Sequence, residues 1–485
     1  AFDILGRVGN LDDSNDVVSR ATRMILDGEV EPSRISKSVL VIDEAQDMCR
    51  EEFELVKALM DRNEELRLIA VGDDDQNIFE FRGSDSKYMR FLAEGPGGRF
   101  IEMTQNYRSS RDIVKFANAF AQRIGNRLKK TPIEAVSGDK GNVEVVLHTS
   151  DVLFEPLVNH LMRLIGEGGT SCVLKQTNEE AAMILAMLTE RGVKARLVQS
   201  LDGFRFTKLA EVKYLFKELR KKMTLSGGKM LPVMQDEVWN AARDNLKRVY
   251  ARSSCLPYVL NFMSKFERTT KEKYWTDFLE FAYESSLEDF KDFSGADVIV
   301  STIHKSKGYE FDNVYMLVKK GYQQDDAQMR KYYVGMTRAK KGLFIHTNSD
   351  IFSGLDGCRY FTDKSVYSMP EEIVLQLTHK DVFLDFFKTR KKEILSMRSG
   401  DSLAFFENRL YHIGEHDERG FCVAMLSVSM KEKLNLWREK GYEVLAASVR
   451  FVVAWKAKDA QPDEPESAII LPDLKLRRIE QQNST

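Results

Sequence analysis

The chain has 485 residues, 43% of them hydrophobic and 30% charged, with a net charge of −2. This is an ordinary globular composition with room for roughly two to four domains, and its balanced charge marks no polyanion partner on average, although a local basic groove is compatible with it. Five dispersed cysteines with no CxxC pair argue against a structural zinc site or a disulfide framework and fit a reducing cytoplasm, and no run approaches the ~18 apolar residues of a membrane span.

In chain order, residues 1–37 read as polar and helical, with an amphipathic stretch at Val17–Leu26. Two short apolar runs follow, Val39–Ile42 and Leu66–Val71, each ending in an acidic cluster: Asp43-Glu44-Ala45-Gln46-Asp47 and Gly72-Asp73-Asp74-Asp75-Gln76. Continuous apolar runs predict strands buried on both faces of a parallel sheet. The helical periodicity of Glu51–Met60 between them predicts a right-handed crossover. A helix at Ser86–Glu94, a turn at Gly95–Gly98, a strand at Arg99–Met103 and a helix at Arg111–Leu128 come next. Strands at Gly141–Leu147, Ser171–Lys175 and Ala195–Gln199 alternate with helices at Phe154–Ile165 and Glu179–Arg191, which predicts a second parallel-sheet domain. The stretch Phe206–Asp292, rich in Lys, Glu, Leu and aromatics, reads as a helical insertion. The sheet resumes with Asp297–Val300, Val314–Val318 and Gly342–His346, with a helix at Ala327–Thr337. After a helix at His379–Leu395, short strands at Ser402–Phe406, Arg409–Ile413, Gly420–Ser427, Glu443–Trp455 and Ala468–Leu471 predict a small β-barrel or sandwich, with a polar, frayed tail from Lys475.

Polar clusters at the carboxyl ends of parallel strands sit where ligands bind in open α/β sheets. An acid at such a position suits a Mg²⁺ that bridges nucleotide phosphates, and a carboxylate beside it suits orientation or deprotonation of a water. Asp43 fits the first role and Glu44 the second, and Gln76 is placed to reach a γ-phosphate from the neighbouring strand. Taken alone, an acidic turn after a strand is also what caps the next helix.

The clusters become specific as a set. DEAQD at 43–47 and GDDDQNIFEFRG at 72–83 are followed by NYRSS at 106–110, STIHKSKGYEF at 301–311 and YVGMTRAKKGLFI at 333–345. Together they resemble the motifs of UvrD/Rep-type superfamily 1 DNA helicases over about residues 38–346, insertion excepted. The resemblance implies an α/β fold. Its RecA-like, P-loop NTPase-type parallel-sheet domains would carry a helical insertion and a small β-rich C-terminal domain. Residues 1–100 would be the remainder of the first RecA-like domain, and 101–205 with 293–365 the second. Residues 206–292 would be a reduced mobile subdomain, and 366–485 the C-terminal domain, of SH3-like or Tudor-like kind. The implied cofactors are ATP and Mg²⁺, with Mg²⁺ on Asp43. Glu44 would be the catalytic base, Gln76 the γ-phosphate sensor, and Arg108 and Arg338 the arginine fingers. Tyr107 would stack on adenine, Glu310 would bond the ribose, and Gly308 would admit a close backbone approach. Phe79, Phe81 and Arg82 would meet single-stranded DNA, and Thr302 and His304 would contact its backbone or couple it to ATP. Without the motifs, the alternating phenylalanines would read as core and each arginine as a solvated surface group.

The implied activity is ATP-dependent movement on single-stranded DNA, 3′ to 5′ by family, at single-strand/duplex junctions in repair, recombination or replication. A further protein partner could engage the C-terminal domain. The chain departs from the family in having no GxxxxGK[ST] phosphate loop. The resemblance places that Walker A loop upstream of Ala1, so this chain by itself is expected to bind ATP poorly and not to hydrolyse it. Only Arg330 matches the charged run that precedes YVA-TRA. The rival reading is a pseudo-helicase, a DNA-binding or scaffolding module without hydrolysis. Retention of Asp43, Glu44, Gln76, Arg108 and Arg338 argues against that.

Overall fold

A computed structural model describes residues 14–95, 97–198, 201, 203–224, 231–290, 295–413, 419–457 and 465–479. In chain order the strands are β1 (Val39–Ile42), β2 (Arg67–Ala70), β3 (Gln105–Asn106), β4 (Glu134–Ala135), β5 (Asn142–His148), β6 (Ser171–Lys175), β7 (Ala195–Leu197), β8 (Val298–Thr302), β9 (Phe311–Val318), β10 (Ala339–Thr347), β11 (Arg359–Asp363), β12 (Glu372–Gln376), β13 (Ser402–Phe406), β14 (Arg409–Ile413), β15 (Arg419–Met425), β16 (Tyr442–Trp455) and β17 (Ser467–Arg478). The chain divides into two compact units. The first runs to Gln176 and resumes at Ser301–Ser368; the second comprises Thr177–Val300 and the chain from Met369 onward.

The first unit holds two parallel arrays. β1 and β2 pair in parallel across the helix Arg50–Asp61, as the crossover pattern requires. Their burial differs from expectation, since both strands alternate between exposed and half-buried residues, with Val41 60% exposed and Ile69 51% exposed. Helix Ser14–Leu26 packs on the crossover helix, and among the described residues no further strand flanks the pair, so continuous apolarity here does not mean burial on both faces. The larger array places β11, β5, β10, β9 and β6 side by side in parallel. β6 is buried throughout, which is what its unbroken apolar run predicts.

Several expected boundaries move. Residues 99–103 form no strand, with Ile101 and Met103 exposed; pairing begins only at β3, against β4. The helix from Arg111 ends at Ala121, where the chain turns through Gly125, whose amide donates to Asp326.

The second unit joins the insertion to the C-terminal sheet. Helices Ala210–Met223, Asp236–Val249, Leu256–Thr269 and Trp275–Glu284 pack around buried Trp239, Phe206, Phe262, Phe266 and Phe278. The C-terminal strands form an open antiparallel sheet in the order β12-β17-β16-β13-β14-β15. β17 carries the chain through Lys475 to Arg478, so the expected frayed tail is strand there. The expected helix at His379–Leu395 is instead a 3-10 turn, Leu384–Thr389, and a short helix, Lys391–Ser396, because Thr378 and Asp381 close a side-chain turn and the Phe383 amide pairs with Met425. A helix at Val428–Glu439 was not legible in the alternating pattern. Gln199 and Asp292, taken as element ends, lie outside the described residues.

One polar chain runs through the first unit's core. His148 Nε2 lies 3.0 Å from His346 Nδ1, and His346 Nε2 lies 3.0 Å from His160 Nδ1. Asp363 stands 3.4 Å from His148 at one end and Glu144 3.4 Å from His160 at the other. With both carboxylates ionised, the four links need four protons, and three neutral imidazoles supply three. One link must lapse, and His148 Nδ1 makes no hydrogen bond. Burial holds His346 well below the ordinary imidazole value of 6.5 and lowers His148 and His160. Below that value the unfolded chain takes up protons that the folded core refuses, so stability is lost as pH falls. Calorimetry should give a lower Tm at about pH 5.5 than at about pH 7.5, and His346→Leu should flatten that slope. An unchanged slope in the variant would assign the acid sensitivity to other groups.

Candidate functional site

The end of β1 is a constrained turn. Asp43 is exposed, and one oxygen of its carboxylate accepts the Glu44 amide at 2.9 Å. Glu44 adopts φ +52°, ψ +40°, the left-handed region, which costs a non-glycine residue on the order of 1 kcal/mol or more. The turn is held by bonds on both sides of it. The Ala45 amide donates to Val71 O at 2.9 Å, and Gln46 Nε2 donates to Glu44 Oε2 at 2.6 Å. Gln46 is buried, and its Oε1 accepts the Asp73 amide at 2.9 Å. A Cβ on Gly72 would stand 2.5 Å from that oxygen, so glycine is what lets Gln46 cross from β1 to β2.

Cations from the second half of the unit meet these acids. Lys307 Nζ lies 3.1 Å from Glu44 Oε2 and 3.2 Å from Gln76 O, and it also bonds Asp47. Burial acts against charge on Glu44, but Lys307, Gln46 and Arg338 outweigh it and hold the carboxyl below its ordinary range. Arg338 is buried. It donates to Gln76 Oε1 at 2.9 Å, to Val334 O at 3.1 Å and to Tyr309 O at 3.3 Å. Its own burial and the neighbouring Arg108 pull its pKa down to about 10. Arg108 donates to Glu310 Oε2 at 2.8 Å and to Thr337 O at 3.3 Å. That bond is the leading reason that the Glu310 carboxyl is lowered. Gly308 sits at φ +87° with open space where a Cβ would be, and Tyr107 is 74% exposed, its hydroxyl on Gln105.

The carboxylates of Asp73, Asp74 and Asp75 lie within 4.8 Å of one another. Most of their oxygens are already engaged by the protein, Asp74 Oδ1 excepted. Arg127 grips Asp75 with two bonds of 2.8 and 2.7 Å, Lys129 reaches Asp73 at 2.6 Å and Asp75 at 3.2 Å, and the Leu128 amide donates to Asp74 at 2.6 Å. By contrast, Asp43 has no cationic side-chain partner among the described residues, which fits it to hold a Mg²⁺.

Beside the second acidic loop, Phe79, Phe81 and His304 form one ring cluster, with centroids 5.6 to 6.2 Å apart. The Arg82 guanidinium stands 5.2 and 5.7 Å from the two phenylalanine rings. Phe81 is 69% exposed, so it is not the core residue that alternation alone would suggest. Burial, with Lys331 and Arg82 nearby, pushes His304 down to about 4, so its ring is neutral at pH 7. Thr302 is buried, and its hydroxyl accepts from the Lys305 amide, so it caps the short helix that carries His304.

The structure thus gathers Glu44, Gln76, Arg108, Arg338 and Glu310 at one place and Phe79, Phe81, Arg82 and His304 at another. Lys307 bridges the two, since its Nζ also lies 5.3 Å from the Phe79 ring centroid. Sequence reasoning passed over Lys307, although it stands inside the T-x-H-x-x-K-G run. It also passed over Arg127 and Lys129, which lie in no motif. Arg330, noted only as a partial match, is buried and paired with Glu80 at 2.8 Å.

Comparison with known proteins gives matches over both halves of this site. The family model of the UvrD/REP helicase N-terminal domain matches residues 7–94, and that of the UvrD-like helicase C-terminal domain matches 101–275 and 217–350. The chain is 26% identical to YjcD of Bacillus subtilis over 63% of its own length and 51% of that relative. It is 22% identical to the ATP-dependent DNA helicase Rep of Buchnera aphidicola subsp. Schizaphis graminum over 80% of its own length and 73% of Rep. With the ATP-dependent DNA helicase PcrA of Bacillus subtilis the identity is 24%, covering 63% of this chain and 54% of PcrA. The chain therefore spans about half the length of two of these relatives.

The contrast between Tyr107 and Arg338 is measurable. Tyr107→Ala removes an exposed ring and should change unfolding free energy by less than about 0.5 kcal/mol. Arg338→Ala leaves Gln76 Oε1 and two main-chain carbonyls short of a donor and should cost about 1–3 kcal/mol. Urea titrations of the two variants read this directly, and equal losses would contradict it.

Proposed function

The chain belongs to the UvrD-like helicase family, and we propose that it carries the catalytic half of an ATP-dependent motor that moves on single-stranded DNA. The observation that carries this reading is the buried Arg338 guanidinium bonded to Gln76, with Glu44 and Asp43 at the adjoining strand end and Arg108 alongside. Asp43 would hold Mg²⁺, and Glu44, kept ionised by Lys307, would take the proton of the attacking water. ATP with Mg²⁺ supplies the phosphoryl group whose transfer drives movement. Arg108 and Arg338 would neutralise charge that spreads over the γ-phosphoryl oxygens, Gln76 would sense that group, and Tyr107 and Glu310 would hold adenine and ribose. A planar guanidinium suits that task better than a point charge. Phe79, Phe81 and His304 would present ring faces to successive bases. Movement would run 3′ to 5′, and duplex junctions would be the natural substrate.

Within this reading, residues 38–100 complete one RecA-like domain and 101–176 with 301–365 the core of the other. The phosphate-cradling loop would come from elsewhere in the natural polypeptide, so the 485 residues alone would not hydrolyse ATP.

The test is steady-state ATPase of the natural full-length polypeptide with and without single-stranded DNA, beside Glu44→Gln. Stimulated hydrolysis that the variant abolishes is expected; DNA binding with no hydrolysis would move the assignment to a DNA-binding module. Phe81→Ala should weaken single-stranded DNA binding by about 5- to 150-fold, the equivalent of ~1–3 kcal/mol for one stacked base. Fluorescence anisotropy with an oligonucleotide checks this, and an unchanged Kd would remove Phe81 from the DNA face.

A further inference from the structure

Two glutamines serve the proposed site, and each has two ways to point its amide. A flip exchanges a donor for an acceptor and would turn Gln76 Nε2 toward the Arg338 guanidinium, donor against donor. Both choices are made by one residue. The Asp73 carboxylate accepts from Gln76 Nε2 at 2.8 Å, which leaves Gln76 Oε1 to accept from Arg338. The Asp73 amide donates to Gln46 Oε1 at 2.9 Å, which leaves Gln46 Nε2 to donate to Glu44 Oε2.

The Asp73 side chain holds its bond to Gln76 with the Asp74 and Asp75 carboxylates close beside it. Lys129 supplies the compensation. Its Nζ lies 2.6 Å from Asp73 Oδ1 and 3.2 Å from Asp75 Oδ2. The Lys129 side chain is only 14% exposed, in a setting where a strong carboxylate field keeps it charged despite burial. Arg127 takes the rest of the Asp75 charge through its paired bonds and so leaves Lys129 free to face Asp73. Neither basic residue touches Glu44, Gln76 or Arg338.

We infer that Lys129, backed by Arg127, is a positioning residue for ATP hydrolysis: it locks Asp73, and Asp73 sets the amide of Gln76 toward Arg338 and the amide of Gln46 toward Glu44. This rests on the proposed ATPase reading and adds a residue that no recognised motif contains. The mutational signature is specific. Loss of Lys129 disturbs alignment of the γ-phosphate sensor and the base, not the surfaces that hold nucleotide or DNA. It therefore lowers kcat and spares KM.

The experiment uses the natural full-length polypeptide. Lys129→Met, Lys129→Arg and Asp73→Asn are compared with wild type in single-stranded-DNA-stimulated ATPase, DNA binding and Tm. Lys129→Met should lower kcat on the order of 10- to 100-fold, as misalignment does. KM for ATP and the Kd for DNA should stay within about twofold, and Lys129→Arg should recover most of the rate. Asp73→Asn keeps the shape but can turn an amide N–H toward Gln76, and should also lower kcat. A Lys129→Met enzyme as fast as an active wild type overturns the inference alone. So does a Lys129→Arg variant that fails to recover while Tm falls in step, since that is the mark of a purely structural lysine. Should Lys129→Met fail to fold, Asp73→Asn decides, and an unaltered kcat overturns the inference. A wild type without stimulated hydrolysis overturns the functional reading and this inference with it.

Discussion

The site is governed by the need to balance carboxylates packed close together at the ends of two adjacent strands. Glu44, Asp47, Asp73, Asp75 and Glu80 are all contributed by residues 44–80, and acids of this density, some of them buried, repel one another unless cations are brought to them. Among the described residues, the cations that pair with them come from later in the chain: Arg127 and Lys129 from the loop after the NYRSS helix, Lys307 from the end of the short helix after β8, and Arg330 from the helix before β10. Charge pairing is therefore one link between the acidic loops and the later segments that carry Arg108 and Arg338. Each pair also has a definite geometry, and Gln46 and Gln76 convert that geometry into the orientation of the polar groups around Glu44.

Much of this was legible in the sequence, for identifiable reasons. β1, β2, β5, β6, β9 and β10 announce themselves as short apolar runs; the acidic residues after β1 and β2 locate one side of the site at their carboxyl ends, whereas Glu310 and Arg338 stand just before β9 and β10, at the amino ends of those strands. The acidic clusters themselves brought out Glu44 and Gln76, and the family resemblance brought out Arg108, Arg338 and Glu310. Lys129 and Arg127 were not legible, because a basic residue after a helix looks the same whether it faces water or a buried aspartate. The exposure of Val41 and Ile69 was hidden for a related reason: apolarity records what a residue can pack against, and the neighbour is a property of the fold. In the C-terminal region 379–395 read as a helix, and side-chain turns at Thr378 and Asp381 broke it.

The second unit makes a separate physical statement. The insertion is fastened to the C-terminal sheet by several independent ties. Leu209 bridges Val453, Lys208 and Lys213 pair with Glu466, the Ser254 amide donates to Ser399 O, and Arg398 Nε donates to Val249 O. Beneath them Glu211 is fully buried, its pKa raised by burial, with Ser253 and Ser399 as its hydrogen-bond donors. Through these hydroxyl donors, from two separate stretches of chain, the buried acid ties the insertion to the chain before the C-terminal sheet. The helical insertion and the sheet therefore behave as one piece, rather than as a loose arm and a separate barrel.

The division of the chain has a consequence for how the molecule comes into being. Each unit is assembled from two stretches, and the second stretch of the first unit, Ser301–Ser368, is made only after the first stretch of the second unit. The acidic loops must then wait, through more than 200 residues of synthesis, for Lys307 and Arg338 to emerge. At about 5–20 residues per second that is a delay of roughly 10 to 50 seconds, during which neighbouring carboxylates have only Arg127 and Lys129 as counter-charges. The first unit can thus complete its charge pairing only once its most distant pairs have been made.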